Sequence, residues 1–173
     1  MQKVIPIYRK LETNKREATF FLDTESKRVF KTVYVKNDYK FWISWALILV
    51  LLRSIKTFHL PITNPIMILF ILFLFIISGM TGIYRYKTTI KNKKEVYVTQ
   101  HMIEDYIYKG KSTLKSDIRV SIVMFIAFTT LIVLFIIFKW LTWLLFALFF
   151  FFGFVWSICY LPISRFKLYR SSK

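Results

Sequence analysis

The sequence predicts an all-α transmembrane protein of four helices, arranged as two helical hairpins, with small cytoplasmic β segments. Its 173 residues are 56% hydrophobic and 20% aromatic, which is more apolar surface than a soluble domain of this length can bury. The hydrophobic residues are also segregated, because long runs without charge alternate with segments rich in Lys and Arg. This alternation is typical of a chain that crosses a bilayer several times.

Three apolar runs have the length of a bilayer crossing. They are Pro65–Tyr84, Val120–Phe138 and Leu141–Tyr160, and each is close to the ~20 residues that a helix needs to cross about 30 Å of hydrocarbon. Lys139 and Trp140 separate the last two runs. An ammonium group and an indole are both favoured at a membrane interface, so the sequence predicts a tight turn between two helices there.

The first hydrophobic run is shorter than the others. Phe41–Leu52 is followed by Arg53 and Lys56, so a re-entrant or interfacial segment is one interpretation. The alternative is a full crossing from about Lys40 to Phe58, with the two basic side chains extending to the outer surface. The distribution of charge along the chain favours the full crossing.

Basic residues lie mainly in three segments. Residues 1–40, 85–119 and 164–173 contain 23 of the 26 Lys and Arg residues and all nine Asp and Glu residues. Four spans place all three segments, with both termini, in the cytoplasm, as the positive-inside rule requires, whereas three spans would divide them between two sides. The sequence therefore predicts a multi-pass plasma-membrane protein whose basic face attracts anionic lipids of the inner leaflet. Nucleic acid is not an expected partner, because no nucleic-acid motif accompanies the charge.

Strand-like patterns occupy two of the basic segments. Ala18–Lys36 alternates apolar and polar residues on both sides of a turn-like DTESK, which predicts a β-hairpin. Val96–Tyr108 predicts one or two further strands. The predicted organisation is a basic segment with the hairpin (residues 1–39), a first transmembrane hairpin (40–84), a basic loop with strands (85–119), a second transmembrane hairpin (120–161) and a basic tail (162–173).

Residues that could carry chemistry are few. The predicted spans have no Asp, Glu, Lys or Arg in their middle, where a coupled transporter or a membrane enzyme would need one. Among polar residues outside them, His101, Glu104 and Asp105 have the chemistry of a metal or acid–base group, but a zinc site needs three or four converging ligands. The sequence therefore predicts no catalytic residue, no metal site and no cofactor.

Small residues offer a different kind of site. Lipid is as apolar as Leu or Phe, so helices associate in a membrane through close packing at small residues or through polar contacts. Within the spans such residues are scarce, and the outer end of the first predicted span carries two basic residues. The candidate interface for a partner therefore consists of Gly79, Gly82, Gly153, Ser157, Arg53 and Lys56.

The opening of the chain resembles a known family. IYRKL at Ile7–Leu11, FFLDTES at Phe20–Ser26 and the basic strand that leads to the membrane are similar to the start of a Gram-positive polytopic membrane protein family. That family includes immunity proteins against toxins of the type VII secretion system, and its members typically have five spans. The resemblance implies an immunity protein that binds a membrane-targeting toxin. An accessory subunit of a sensor kinase or transporter is the alternative, and a homo-oligomer stays open.

Overall fold

The computed structural model describes residues 4–12, 16–35, 43, 64–91 and 93–171. The predicted first span, with Arg53 and Lys56, lies outside this part of the chain apart from one residue. The elements in chain order are the strands β1 (Val4–Glu12), β2 (Arg16–Asp23) and β3 (Val29–Val35), helix α1 (Pro65–Lys91), strand β4 (Lys94–Val96), and the helices α2 (Gln100–Phe138), α3 (Leu141–Cys159) and α4 (Ile163–Ser171).

The predicted β-hairpin is confirmed. Strands β2 and β3 pair in antiparallel fashion around the turn that joins Asp23 to Val29. The Asp23 carboxylate accepts hydrogen bonds from the main-chain N–H of Glu25 at 3.0 Å and from the Ser26 hydroxyl at 2.8 Å. These two donors hold the pKa of Asp23 below its ordinary value. Such an Asp-centred turn explains why DTESK reverses the chain at this point.

The strand prediction for Val96–Tyr108 is wrong over most of its length. Only Lys94–Val96 forms a strand, which pairs with β3, and helix α2 begins at Gln100. The β-branched and aromatic residues suggested strands, but Ile103 and Tyr106 are spaced as on one helical face and pack together against the sheet. Burial of that face outweighs the weak local preference for strand.

The four strands form one antiparallel sheet in the order β1-β2-β3-β4, and helices cover both of its faces. Alternate residues of β2 point to opposite sides, so Phe20 packs with Tyr106 of α2, whereas Phe21 packs with Tyr86 of α1 and Tyr160. The remaining buried residues on the Phe20 side are Ile5, Ile7, Ala18, Leu22 and Val29. The sheet and the helices that cover it therefore form a hydrophobic core from residues of this chain, as a small sheet needs for stability.

The chain divides into two compact units. The sheet unit contains residues 1–36, 84–120 and 157–173, and the helical unit contains residues 37–83 and 121–156. Within the helical unit, α2 ends at Phe138 and α3 begins at Leu141. Lys139 lies between them with a left-handed φ of 56°. This confirms that the turn at Lys139 and Trp140 separates two helices, because a left-handed residue ends the α-helical hydrogen-bond pattern.

Three helices are long and apolar enough to cross a membrane, namely α1, α2 and α3. The fourth helix, α4, has nine residues and follows α3 closely. It lies in the segment that the sequence predicted only as a basic tail. The part of the chain that the structure describes therefore contains three of the four predicted spans.

Candidate functional site

A buried ion pair lies in the sheet unit between α2 and α4. Arg165 of α4 is 1% exposed, and its Nη1 lies 2.7 Å from Oδ2 of Asp117 on α2. The same nitrogen donates a hydrogen bond to the main-chain carbonyl of Tyr160 at 2.8 Å. A buried guanidinium needs such partners, because an unpaired charge in the interior costs several kcal/mol.

Strand β1 contributes a second cation to this group. Nη1 of Arg9 lies 3.7 Å from the other Asp117 oxygen, and its guanidinium lies 5.6 Å from the centre of the Tyr160 ring. We call Arg9, Asp117, Tyr160 and Arg165 the polar junction. It joins β1, α2, α4 and the end of α3, which are separated in sequence by up to 156 positions.

A β-bulge next to the polar junction brings α2 and α4 onto the sheet. Pro6 pairs with Phe21 and Tyr8 pairs with Phe20, so Ile7 has no opposite residue on β2. The carbonyl of Ile7 instead accepts a hydrogen bond from the Tyr169 hydroxyl of α4. Burial raises the pKa of the Tyr169 phenol above its ordinary value, while the Arg165 guanidinium acts in the opposite direction.

Gly110 of α2 faces the same bulge. A Cβ at this position would collide with the carbonyl oxygen of Ile7 and with the hydroxyl of Tyr169. Only a residue without a side chain fits there, since one of the two obstructing atoms belongs to the main chain. The bulge, Gly110 and Tyr169 therefore form one packed contact.

The polar junction combines two guanidinium groups, one carboxylate and one aromatic ring. Its carboxylate is committed to both guanidinium groups, and no group of three or more His, Cys, Asp or Glu side chains converges anywhere in the described residues. What this arrangement can do chemically is to hold four chain segments together. We therefore assign it a positioning role within the sheet unit.

The residues weighed for acid–base chemistry lie on helix α2 rather than on a strand. His101 and Asp105 are four positions apart on this helix, but Asp105 forms an ion pair with Lys109 at 2.6 Å. His101 and Glu104 are exposed. The Asp105 carboxylate therefore pairs with Lys109 and not with His101. Such an i,i+4 pair is typical of a solvated helix surface.

In the helical unit, the candidate glycines contact neighbouring helices of this chain. A Cβ on Gly82 would lie 3.1 Å from the carbonyl of Phe152, and one on Gly79 would lie 3.4 Å from the Phe151 ring, both on α3. A Cβ on Gly153 would lie 3.3 Å from the sulfur of Met124 on α2. These glycines permit close packing within the chain.

Ser78 is the residue of this contact that sequence reasoning missed. Its hydroxyl donates a 2.9 Å hydrogen bond to the main-chain carbonyl of Leu148 on α3. Ser78 and Gly82 form a small-xxx-small pair on α1, and this spacing was the signal that could have identified it. Ser157 is half-buried, and its carbonyl accepts the N–H of Tyr160 at 3.0 Å. Arg53 and Lys56 lie outside the described residues.

Helix α1 also has an exposed face that changes character along its length. The side chains of Leu69 and Met80 are 71% and 65% exposed, and the exposed stripe continues through Tyr84 to Lys87 and Lys91. An apolar, then aromatic, then basic order along one helix face matches the passage from hydrocarbon to headgroups. Leu69 and Met80 are among the most exposed apolar side chains of α1.

Comparison of the chain with protein-family models, with curated proteins and with solved structures found no match. The function must therefore be inferred from the chain itself. The features available for this are the exposed apolar surface of α1 and the folded, basic sheet unit.

Proposed function

We propose that the protein is a non-enzymatic integral protein of the plasma membrane that acts by binding another membrane protein. The observation that carries the proposal is the absence of charge from the apolar runs: residues 65–84, 120–138 and 141–160 contain no Asp, Glu, Lys, Arg or His. Ion-coupled transport and catalysis within a bilayer depend on such groups. Helix contact is what these surfaces can offer instead.

The proposed topology has four spans in two helical hairpins, with both termini and the sheet unit in the cytoplasm. Its support is the concentration of 23 of the 26 basic residues in the three segments assigned to that side. The same charge favours contact with anionic lipids of the inner leaflet.

Labelling of introduced cysteines tests this topology. We expect a membrane-impermeant thiol reagent to label position 139 in intact cells, and position 172 only after the cells are opened, in a chain that carries Cys159→Ser. Labelling of position 172 but not 139 in intact cells would reverse the orientation.

The partner that we favour is a membrane-targeting toxin, which makes the protein an immunity protein. This step draws on the resemblance of IYRKL and FFLDTES to the Gram-positive family described above, and on the exposed apolar stripe of α1 as a contact surface. A toxin inserted in the bilayer would meet that stripe directly. Close shape complementarity, rather than hydrophobicity, would then provide the affinity, since the competing solvent is lipid.

A depolarisation assay tests the immunity role. Cells with and without the protein would be exposed to a membrane-depolarising toxin of the type VII secretion system, and their membrane potential would be followed with a voltage-sensitive dye. We expect the protein to prevent depolarisation, and replacement of Leu69, Phe73 and Met80 together by Ala to abolish protection at unchanged membrane abundance. Depolarisation at the same rate in both cell types would exclude an immunity role.

A matched variant keeps large apolar side chains on the same face of α1 but changes their shape. Leu69→Phe, Phe73→Leu and Met80→Leu together keep large apolar side chains there, and we expect most of the protection to remain. Loss of protection in this control as well would mean that the substitutions act by disturbing the fold of the helical unit. Crosslinking of the chain to itself through position 69 would identify a second copy as the occupant.

The folded sheet unit favours a second candidate, an accessory or regulatory subunit of a membrane complex such as a sensor kinase or transporter. This unit has its own core and an exposed basic surface, which is more structure than a connection between spans requires. Retention of protection in the triple alanine variant would move the toxin contact away from α1, whereas failure of the unaltered protein to protect would favour this second candidate.

A further inference from the structure

We propose that the exposed face of α4 contacts the membrane surface and binds anionic lipid headgroups. This inference rests on the membrane insertion of α1–α3 in the proposed function, but not on the immunity role. It assigns a lipid-binding surface to one short helix, beyond the general attraction of a basic cytoplasmic face to anionic lipids.

The chain itself keeps α4 close to the end of a span. Cys159 is the last residue of α3 and Ile163 is the first of α4, so the two are at most about 14 Å apart even if the link is fully extended. Hydrogen bonds from the N–H groups of Tyr160 and Leu161 back to Ser157 and Ile158 make the link shorter than this limit. The start of α4 therefore lies within or next to the interfacial region of the bilayer.

A second and independent contact places α4 at the same depth. Arg165 is bonded to Asp117 at 2.7 Å, and Asp117 precedes Val120, the first residue of the apolar run of α2, by three positions. Three residues correspond to about 4.5 Å along a helix. Arg165 is thus held roughly level with the point at which α2 becomes apolar.

The two faces of α4 have different occupants. Arg165, Leu168 and Tyr169 point into the sheet unit, where they bond to Asp117, pack on the core and bond to Ile7. The opposite face follows the helical spacing i, i+3, i+4, i+7. It consists of Ile163, which is 74% exposed, Phe166, Lys167 and Arg170, all exposed.

The chemistry of this outer face selects an anionic lipid surface as its occupant. Ile163 and Phe166 can enter the boundary between headgroups and acyl chains, while Lys167 and Arg170 can pair with phosphate groups at the same depth. Four side chains on a nine-residue helix cover too little area for a stable protein interface. A bilayer already lies next to this helix, so no encounter between separate molecules is needed.

Site-directed spin labelling tests the proposal with the full chain in vesicles. In a Cys159→Ser background, single labels would be placed at Phe166, at Leu69 as a bilayer reference and at Ser26 as an aqueous reference. Vesicles of phosphatidylcholine with phosphatidylglycerol would be compared with phosphatidylcholine alone, and collision of each label with oxygen and with a nickel chelate would be measured. We expect the ratio of oxygen to nickel collisions at position 166 to approach that at position 69 in the anionic vesicles.

Charge reversal supplies the matched control. Lys167→Glu with Arg170→Glu should reduce the lipid-contacting population at position 166 by at least about fivefold per basic residue, because each is worth roughly 1 kcal/mol near an anionic surface. Lys10→Glu with Lys27→Glu changes the net charge equally at exposed positions elsewhere and should leave that population unchanged.

Two outcomes would overturn the proposal. A collision ratio at position 166 equal to that at position 26 in both kinds of vesicle means that the face is in water. Shielding of the label from both reagents means that protein, and not lipid, covers it. Vesicle flotation distinguishes these results from a failure of the proposed function, since a chain that does not float with lipid lacks the membrane insertion on which both depend.

Discussion

The sheet unit and the helical unit hold their elements together by different means. In the sheet unit, apolar side chains are buried on both faces of a sheet, and an ion pair and a tyrosine hydroxyl bond to groups far away in the sequence. In the helical unit, contacts rely on glycines, aromatic rings and one serine hydroxyl. We expect such a difference between a unit in water and helices in lipid, because burial of apolar surface stabilises a fold in water but gives little advantage in lipid.

This comparison explains why the two units expose such different surfaces. The sheet unit places Phe21, Ile5 and Ile7 entirely inside. The apolar helices instead leave large side chains exposed, among them Leu69 at 71%. Such a surface would cause aggregation in water but is ordinary against lipid. Each prediction below tests one unit against the other, beginning with the largest effect.

Removal of the carboxylate of the polar junction should have the largest effect. Asp117→Ala leaves the buried guanidinium of Arg165 without its charge partner, and we expect the sheet unit to lose about 3–5 kcal/mol in free energy of unfolding. Limited proteolysis of the purified protein in detergent would follow the opening of this unit. Asp105→Ala is the matched control, because its ion pair with Lys109 is more exposed and contributes much less to stability.

Equal protease resistance of the two aspartate variants would contradict this prediction. Joint replacement Asp117→Leu and Arg165→Met is informative in the same assay. We expect it to recover much of the lost stability, since no buried charge is then left unpaired between α2 and α4.

A methyl group should destabilise the protein much more at one glycine than at another. Gly110→Ala places a Cβ against the main-chain carbonyl of Ile7, and we expect a loss of about 3 kcal/mol in the sheet unit. Gly153→Ala meets only the side chain of Met124, which can move, so we expect a change below about 1 kcal/mol in the helical unit. Thermal unfolding in detergent would compare them. Similar melting temperatures would mean that α2 can shift away from the bulge.

Local patterns in the sequence were sufficient for some of this fold. The turn at DTESK was predictable because Asp23 closes it through its near neighbours Glu25 and Ser26. The separation of α2 from α3 was predictable because Lys139 and Trp140 interrupt an apolar run. Both features depend on residues that are close together in the chain.

Other features depend on residues that only the fold brings together. Arg165 and Asp117 are 48 positions apart, and nothing in their surroundings marks them as partners. The glycines were predicted as an interface for a partner, and whether Gly82 would contact α3 or another protein could not be deduced from spacing. The strand prediction after Val96 was wrong because aromatic residues are compatible with either structure until a surface is available to bury them.

The hydrogen bond of Tyr169 should give a smaller, pH-dependent effect. Tyr169→Phe leaves the Ile7 carbonyl without this donor, and we expect a loss of about 1–2 kcal/mol in the sheet unit. Because burial raises the pKa of this phenol, its contribution is complete below the unfolded value of about 10 and is lost as pH rises through the folded value. Denaturant titration from about pH 8 to about pH 11, a range around that value, would measure the free energy of unfolding. We expect this free energy to decline with rising pH, and to decline less in the Phe variant. An identical decline in both proteins would assign it to other groups.

The smallest effect should come from the hydroxyl that joins two apolar helices. Ser78→Ala removes the bond to the Leu148 carbonyl, and hydrogen bonds between membrane helices are worth about 0.6 kcal/mol. Thr81→Val is the control, because the Thr81 hydroxyl bonds only to Ile77 of its own helix. Unfolding in detergent mixtures of increasing dodecyl sulfate content would measure both. A loss in Ser78→Ala well above that in Thr81→Val would show that polar contacts contribute in the helical unit, whereas equal values would leave close packing at Gly79 and Gly82 as its main stabilising interaction.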